Sequence, residues 1–179
     1  MTNKKTFSHP KADQQARQAF TERIKLHRSQ GRRIVYQDES GFEKQHYRTH
    51  GYALKGQRCL GKRDWHTRER INAVGAMIDF KLINVCLFEG TINSDIFYAW
   101  LTLELLPLLV PEDVLVLDNA TFHKRKDMIQ AIEQKGVILE YLPTYSPDLN
   151  PIEQKWAQAK AYRRKHKCEV DDIFKSGHL

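Results

Sequence analysis

Three acidic residues stand where their neighbours could turn them to chemical use. Asp38 closes the alternating segment RIVYQD, Asp118 closes the apolar run VLVL, and Glu153 follows the proline-punctuated YLPTYSPDLNP. Carboxylates are hard oxygen donors of the kind that hold Mg2+ or Mn2+. Three of them suit phosphodiester chemistry in which two divalent ions, about 3.5–4 Å apart, activate an attacking oxygen and stabilise a leaving one. Each acid also has a plainer role open to it. An Asp after an apolar strand is commonly a turn residue, and Glu153, three places after Asn150, stands where a capping box would spend it on the cap's own N–H. The prolines at 143, 147 and 151 weigh against that for Glu153. They hold the chain extended between a strand and a helix, and so aim the residue that follows. The alternative is that they only protect a sheet edge from pairing.

The elements that must position these acids follow from periodicity. Residues 33–38 alternate, with Ile34, Tyr36 and Asp38 on one face and Val35, Gln37 and Glu39 on the other, ending at Ser40 and Gly41. Glu39 is therefore expected to be a bystander on the face away from Asp38. Strands at 71–78 and 82–88, joined by a turn at 79–81, complete an antiparallel three-stranded meander with the first. A helix capped by Asn93 or Ser94 presents Phe97, Trp100, Leu101, Leu105 and Leu108 at helical spacing until Pro107 and Pro111 stop it. Val114 to Leu117 reads as a central strand covered on both faces. A helix at about 125–135, stopped by Gly136, and a strand at 137–141 follow; the last helix expected begins at Pro151, with Asn150 as its cap. Strands followed by alternating helix and strand predict an α/β fold with helices packed on a mixed sheet.

The 179 residues suit one globular domain. Residues 1–30, polar with a weak apolar rhythm at Ala16, Phe20, Ile24 and Leu26, read as a lead-in helix or linker, and 31–179 as the domain proper. With 41% hydrophobic and 28% charged residues, no apolar stretch nears the roughly 20 residues of a membrane span. The start of the chain lacks the apolar core of a signal peptide, so a cytoplasmic protein with no membrane partner is expected. Cys59, Cys86 and Cys168 form no C-x-x-C pair, which argues against a structural zinc site and a disulfide framework. Lys and Arg outnumber Asp and Glu by 29 to 22, a formal charge of +7 that favours a polyanionic partner.

Three segments, YQDESGF (36–42), VLDNATFHK (116–124) and LPTYSPDLNPIEQKW (142–156), resemble the signature segments of insertion-sequence family 630 transposases, bacterial relatives of the mariner transposases. The third is highly specific; the first is weak alone. The resemblance runs from about residue 33 to 156, and the stretch between the second and third acid, residues 119–152, has the length that the family typically shows.

The resemblance implies a ribonuclease-H-like fold, with Asp38, Asp118 and Glu153 as the catalytic, metal-binding triad. Asp38 would bridge two Mg2+ (or Mn2+) ions, and Asp118 and Glu153 would each complete one shell. It implies divalent-metal-dependent strand cleavage at element ends and strand transfer into target DNA, at TA sites, by a homodimer assembled on double-stranded DNA. Asn119 and His123 follow the second acid in the family's pattern, and His123 is a candidate to orient a water or touch the scissile phosphate; a solvated or capping histidine is the commoner case at a helix start.

Two basic groups suit a DNA backbone: Lys55, Arg58, Lys62 and Arg63, and Lys160, Arg163, Arg164, Lys165 and Lys167. Solvated charge is the plainer reading of such runs. Tyr47, Tyr52 and Trp65 are candidates to stack on unpaired bases, or to pack within a hairpin. Full-length relatives begin with helix-turn-helix modules, and nothing before Lys11 is long enough to be one, so an upstream DNA-binding half is an expected partner. Two alternatives stay open: a truncated remnant serving only as a DNA-binding or dimerisation module, and a nuclease of the same fold that cuts without joining.

Overall fold

The computed structural model describes residues 10–43 and 70–175. Helix α1 (Gln14–Ser29) leads into strand β1 (Ile34–Glu43), followed by β2 (Arg70–Ile78) and β3 (Lys81–Glu89). Then come α2 (Ser94–Trp100), β4 (Val114–Leu117), α3 (Lys126–Gln134), β5 (Ile138–Tyr141), α4 (Ile152–His166) and α5 (Val170–Lys175). The strands form one mixed sheet in the order β3-β2-β1-β4-β5, antiparallel from β3 to β1 and parallel from β1 to β5.

Alternation along the strands divides the core in two. Ile34, Tyr36, Val114 and Val116 face α1, α4 and α5, whose Phe20, Ile24, Ile152, Trp156 and Ile173 cover them. Val35, Leu115 and Leu117 face the other way, onto Phe97, Trp100 and Leu101 of the α2 region and Met128 and Ile132 of α3. All four residues of β4 are buried, as a strand covered on both faces requires. The lead-in helix α1 is packed on this body. Asp13 caps it, and salt bridges from Arg17 to Asp148 (2.6 Å) and Arg23 to Glu140 (3.1 Å) tie it to the chain around β5 and before α4.

Several details differ from the periodic reading. β1 does not stop at Ser40 and Gly41, because antiparallel pairing with β2 carries it on to Glu43 opposite Arg70. Leu26 is exposed, so only Phe20 and Ile24 of the α1 rhythm reach the core. Asn93 caps α2 through the N–H groups of Asp95 and Ile96. The helix then widens into a π turn at Leu101–Leu105 and tightens into a 3-10 turn at Leu106–Leu108. That change of pitch turns Leu108 outward and buries Leu109 instead. Helix α5, unmarked in the sequence, closes over one end of the first core with Val170 and Ile173.

The sheet's register decides where α4 can lie. Asp38 is paired with Gly75 across β1 and β2, and a Cβ on Gly75 would stand 2.7 Å from Cη2 of Trp156. Only glycine lets the indole rest on the sheet there. Trp156 lies one helical turn after Glu153, so this contact holds the start of α4 over the strand that bears Asp38.

Candidate active site

Asp38 and Asp118 leave neighbouring parallel strands on the same face and at the same level. Tyr36 and Val116 are paired in register, and each acid lies two residues further on. Neighbouring strands run about 4.8 Å apart, so the two carboxylates are close neighbours at the carboxyl end of β4. Glu153 reaches the same end from the first turn of α4, where it is exposed.

The plainer role for Glu153 is not available to it in the form a capping box takes. The Asn150 N–H is already donated to the Pro147 carbonyl (2.9 Å), leaving no cap N–H for the Glu153 side chain. Nor does Asn150 cap α4 with its own side chain: its Oδ1 is buried without a hydrogen-bond partner among the described residues. The 3-10 turn at Pro147–Leu149 carries the chain into the helix instead, with Pro151 immediately before Ile152.

The electrostatics of Asp38 follow from this crowding. Burial raises its pKa, the charge of Glu153 raises it further, and Asp118 and Glu39 add to the effect. A hydrogen bond from the Glu39 backbone N–H offsets part, and the carboxyl is pushed up to about 7. Its Oδ2 is sealed from solvent and has no hydrogen-bond partner among the described residues. Asp118 behaves in the opposite way. Burial alone would raise its pKa, but hydrogen bonds from His123 and the Ala120 N–H outweigh this and hold it below the usual carboxylate range. Both bonds land on Oδ1, from Ala120 N at 3.0 Å and His123 Nδ1 at 2.5 Å.

His123 departs most from expectation. The solvated or capping histidine is instead 2% exposed, in a 3-10 turn at Thr121–Lys124, and its ring packs on Phe97 (4.3 Å between centroids) and Phe122 (4.0 Å). Its Nε2 stands 3.5 Å from Oε1 of Glu39, an ion-pair distance just outside good hydrogen-bond geometry. Burial pulls the imidazole's pKa down, yet Asp118 and Glu39 together raise it to about 9. With both ring nitrogens turned to carboxylates, His123 has no free edge for a scissile phosphate. Glu39 does lie on the face away from Asp38, but it is no bystander, because the turn after β4 brings His123 round the strand ends to meet it. Periodicity within β1 gives the face and cannot reveal that arrival.

The remaining candidates are dispersed. Asn119 is exposed beside Asp118. Arg164, Lys165 and Lys167 are exposed at the far end of α4, and the Lys160 ammonium lies 5.6 Å from the Phe42 ring centroid. Arg163 does not join them: it is 2% exposed and donates to the carbonyls of Glu43 (2.5 Å) and Cys168 (3.3 Å). Its helical position faces the sheet, so its charge serves backbone oxygens and not a surface. Lys55, Arg58, Lys62, Arg63, Tyr47, Tyr52, Trp65 and Cys59 lie outside the described residues. Cys86 and Cys168 are free thiols. No described helix is long and apolar enough to cross a membrane.

Residues 33–173 match the profile of the DDE superfamily endonucleases, over a span that contains all three acids. The chain belongs to that family. No curated protein sequence matches it. Among solved structures, this DDE endonuclease domain is similar to the Mos1 transposase paired-end complex with left transposon end, at TM-score 0.65 and 17% identity, covering 91% of this chain and 53% of that one. It is similar to the Mos1 strand transfer complex at TM-score 0.65 and 18% identity, covering 90% and 52%. The Mos1 transposase catalytic domain with Raltegravir and Mg gives TM-score 0.58 and 15% identity, covering 90% and 76%. The domain thus spans about half the length of the transposase chains in those first two complexes. The expected ribonuclease-H-like fold, a mixed sheet with an antiparallel meander and then alternating helices and strands, is the fold found.

Proposed function

We propose that this is the catalytic domain of an insertion-sequence family 630 transposase, which cuts DNA at element ends and joins those ends to target DNA with Asp38, Asp118 and Glu153 as its catalytic residues. One observation carries the reading. Asp38 has a sealed Oδ2 without a hydrogen-bond partner among the described residues and a pKa pushed up to about 7 among other carboxylates, a cluster that calls for added positive charge. Among the described residues no three His, Cys, Asp or Glu side chains stand close enough together to hold a metal ion. The donor set nevertheless fits a hard divalent cation, being all oxygen, negatively charged and open to solvent on the Glu153 side. Mos1 paired end complexes are known with Mn and with Mg, and the same ions, two of them, are proposed here, held by Asp38, Asp118 and Glu153.

When bound, such ions supply Lewis acidity and a lowered pKa for water. The chain's own residues do the rest. Asp38 and Asp118, level on adjacent strands, fix one side of the site rigidly, while Glu153 closes it from α4. Water attacks phosphorus, the P–O3′ bond breaks, and the 3′ oxygen leaves as a hydroxyl after taking up a proton. That hydroxyl then attacks a target phosphodiester, which exchanges one P–O bond for another without further hydrolysis. Asn119, exposed beside Asp118, is proposed to touch the strand being cut. Arg164, Lys165, Lys167 and Lys160, with Lys55, Arg58, Lys62 and Arg63, are proposed to run along duplex phosphates. An upstream helix-turn-helix half, a homodimer on paired ends and TA target sites complete the proposal, for a protein acting on the chromosome in the cytoplasm.

The test is a strand-transfer assay with precut element-end duplex, Mn2+ and the chain joined to its DNA-binding half. Joined products that vanish in Glu153→Gln, with thermal stability unchanged, are the expected result. Gln keeps the length and helix compatibility of Glu153 but cannot replace a charged ligand. Cleavage without joining would point to a nuclease, and full joining by Glu153→Gln would remove Glu153 from the triad.

A further inference from the structure

The pairing of Glu39 with His123 has no place in the triad as proposed, yet its geometry is specific. Three groups line up across the end of the sheet: Glu39 Oε1, the His123 ring and Asp118 Oδ1, with gaps of 3.5 Å and 2.5 Å. Glu39 Oε1 and His123 Nε2 are both sealed from solvent, and neither makes a full hydrogen bond among the described residues. Each is the other's polar neighbour. The ring is held from the sides by Phe97 and Phe122, which sit in the second core beneath the sheet. A buried imidazole packed against two tilted aromatic rings, with a carboxylate facing each nitrogen, has little freedom to turn.

We infer that Glu39 and His123 are positioning residues for Asp118: Glu39 fixes the ring from the far face of β1, and the ring holds Asp118 by Oδ1 so that its other oxygen is presented to the ion. The inference rests on the metal-binding reading above. It gives Glu39 a function that strand alternation alone denies it, since Glu39 acts through His123 and not at the metal. Partners one step removed from a metal ligand orient it, and their loss commonly weakens metal affinity about 10–100-fold. The second acid is the one that needs such a brace. Asp38 is locked inside a paired strand, whereas Asp118 lies just past the end of β4 with, among the described residues, the Ala120 N–H as its one further side-chain hold.

The experiment is thermal unfolding of the chain titrated with Mn2+, for the wild type, Glu39→Gln, His123→Asn, their double variant and Asp118→Asn. Asn keeps a donor close to the position of Nδ1 but cannot reach Glu39, and Gln keeps the shape of Glu39 without its charge. The wild type is expected to melt higher with Mn2+, and Asp118→Asn not to respond. Glu39→Gln should need about tenfold more Mn2+ for the same half-maximal shift, and reach a similar plateau. The double variant should match His123→Asn alone, because a residue acting only through another adds nothing once that other is changed. A Glu39→Gln curve lying on the wild type's, beside an unresponsive Asp118→Asn, overturns the brace and leaves the metal site standing. Complete loss of response in Glu39→Gln makes Glu39 a ligand and also overturns it. A wild type that ignores Mn2+ overturns the metal reading itself. If His123→Asn does not fold, Glu39→Gln, at a side chain 28% exposed, decides the matter alone.

Discussion

Replacing Asp38 by Asn should stabilise the metal-free protein while abolishing its activity. Burial and the neighbouring charge of Glu153 raise the Asp38 carboxyl from 3.8 to about 7, which at pH 8 makes its ionised form cost roughly 4 kcal/mol relative to the unfolded chain. Asn removes that charge but brings an amide into a site with few partners, at a cost of about 1–3 kcal/mol. The net gain expected is therefore about 1–3 kcal/mol, or roughly 2–10 °C in Tm for a domain of this size. The sign of the pH dependence follows from proton counting. Between pH 3.8 and about 7 the folded state keeps a proton that the unfolded chain releases, so the wild type loses stability as pH rises through this window. Asp38→Asn should lack that loss. His123, raised from 6.5 to about 9, contributes stability that is fully present below 6.5 and lost as pH rises through 9, equally in both proteins. Thermal melts from pH 4 to 8 in chelator should show the wild type ahead at pH 4 and Asp38→Asn ahead at pH 8, and Mn2+ at pH 8 should reverse that order by stabilising only the wild type. A difference between them that does not change with pH would refute the claim that an unfavourable Asp38 charge strains the empty site.

Three further outcomes are expected. Gly75→Ala, which sets a Cβ 2.7 Å from Trp156, should lower stability by about 1–3 kcal/mol in urea melts and weaken the Mn2+ response by lifting the start of α4. Arg163→Met should cost about 2–5 kcal/mol by leaving the Glu43 and Cys168 carbonyls without their donor, whereas Arg164→Ala should spare stability and weaken duplex binding, read by anisotropy across a salt series. A double-mutant cycle on Arg17 and Asp148, paired at 2.6 Å across the packing of α1, should yield a coupling of about 1 kcal/mol; zero coupling would mean that this ion pair adds nothing to the docking of α1.

Much of this architecture was legible in the amino-acid order, for reasons local to each element. Alternation in RIVYQD and the unbroken VLVL place Asp38 and Asp118 on their strands, and Asn93 and Gly136 mark helix ends through side-chain capping and a positive φ. These signals need only near neighbours. Tertiary structure decided everything that depends on which distant surface arrives. Gly75 matters because Trp156, far along the chain, lands on it, and Arg163 is buried because Glu43 and Cys168 bring carbonyls to it. Asn150 loses its capping role because a 3-10 turn supplies the Pro147 carbonyl and the approach to α4. Glu39 shows the limit most clearly. Its two-residue period correctly assigns the face opposite Asp38, but a face is only an orientation, and what it meets there depends on how the chain turns after β4. Strand periodicity carries no information about that turn, and it is the packing of Phe97 and Phe122 around His123 that brings the ring to Glu39.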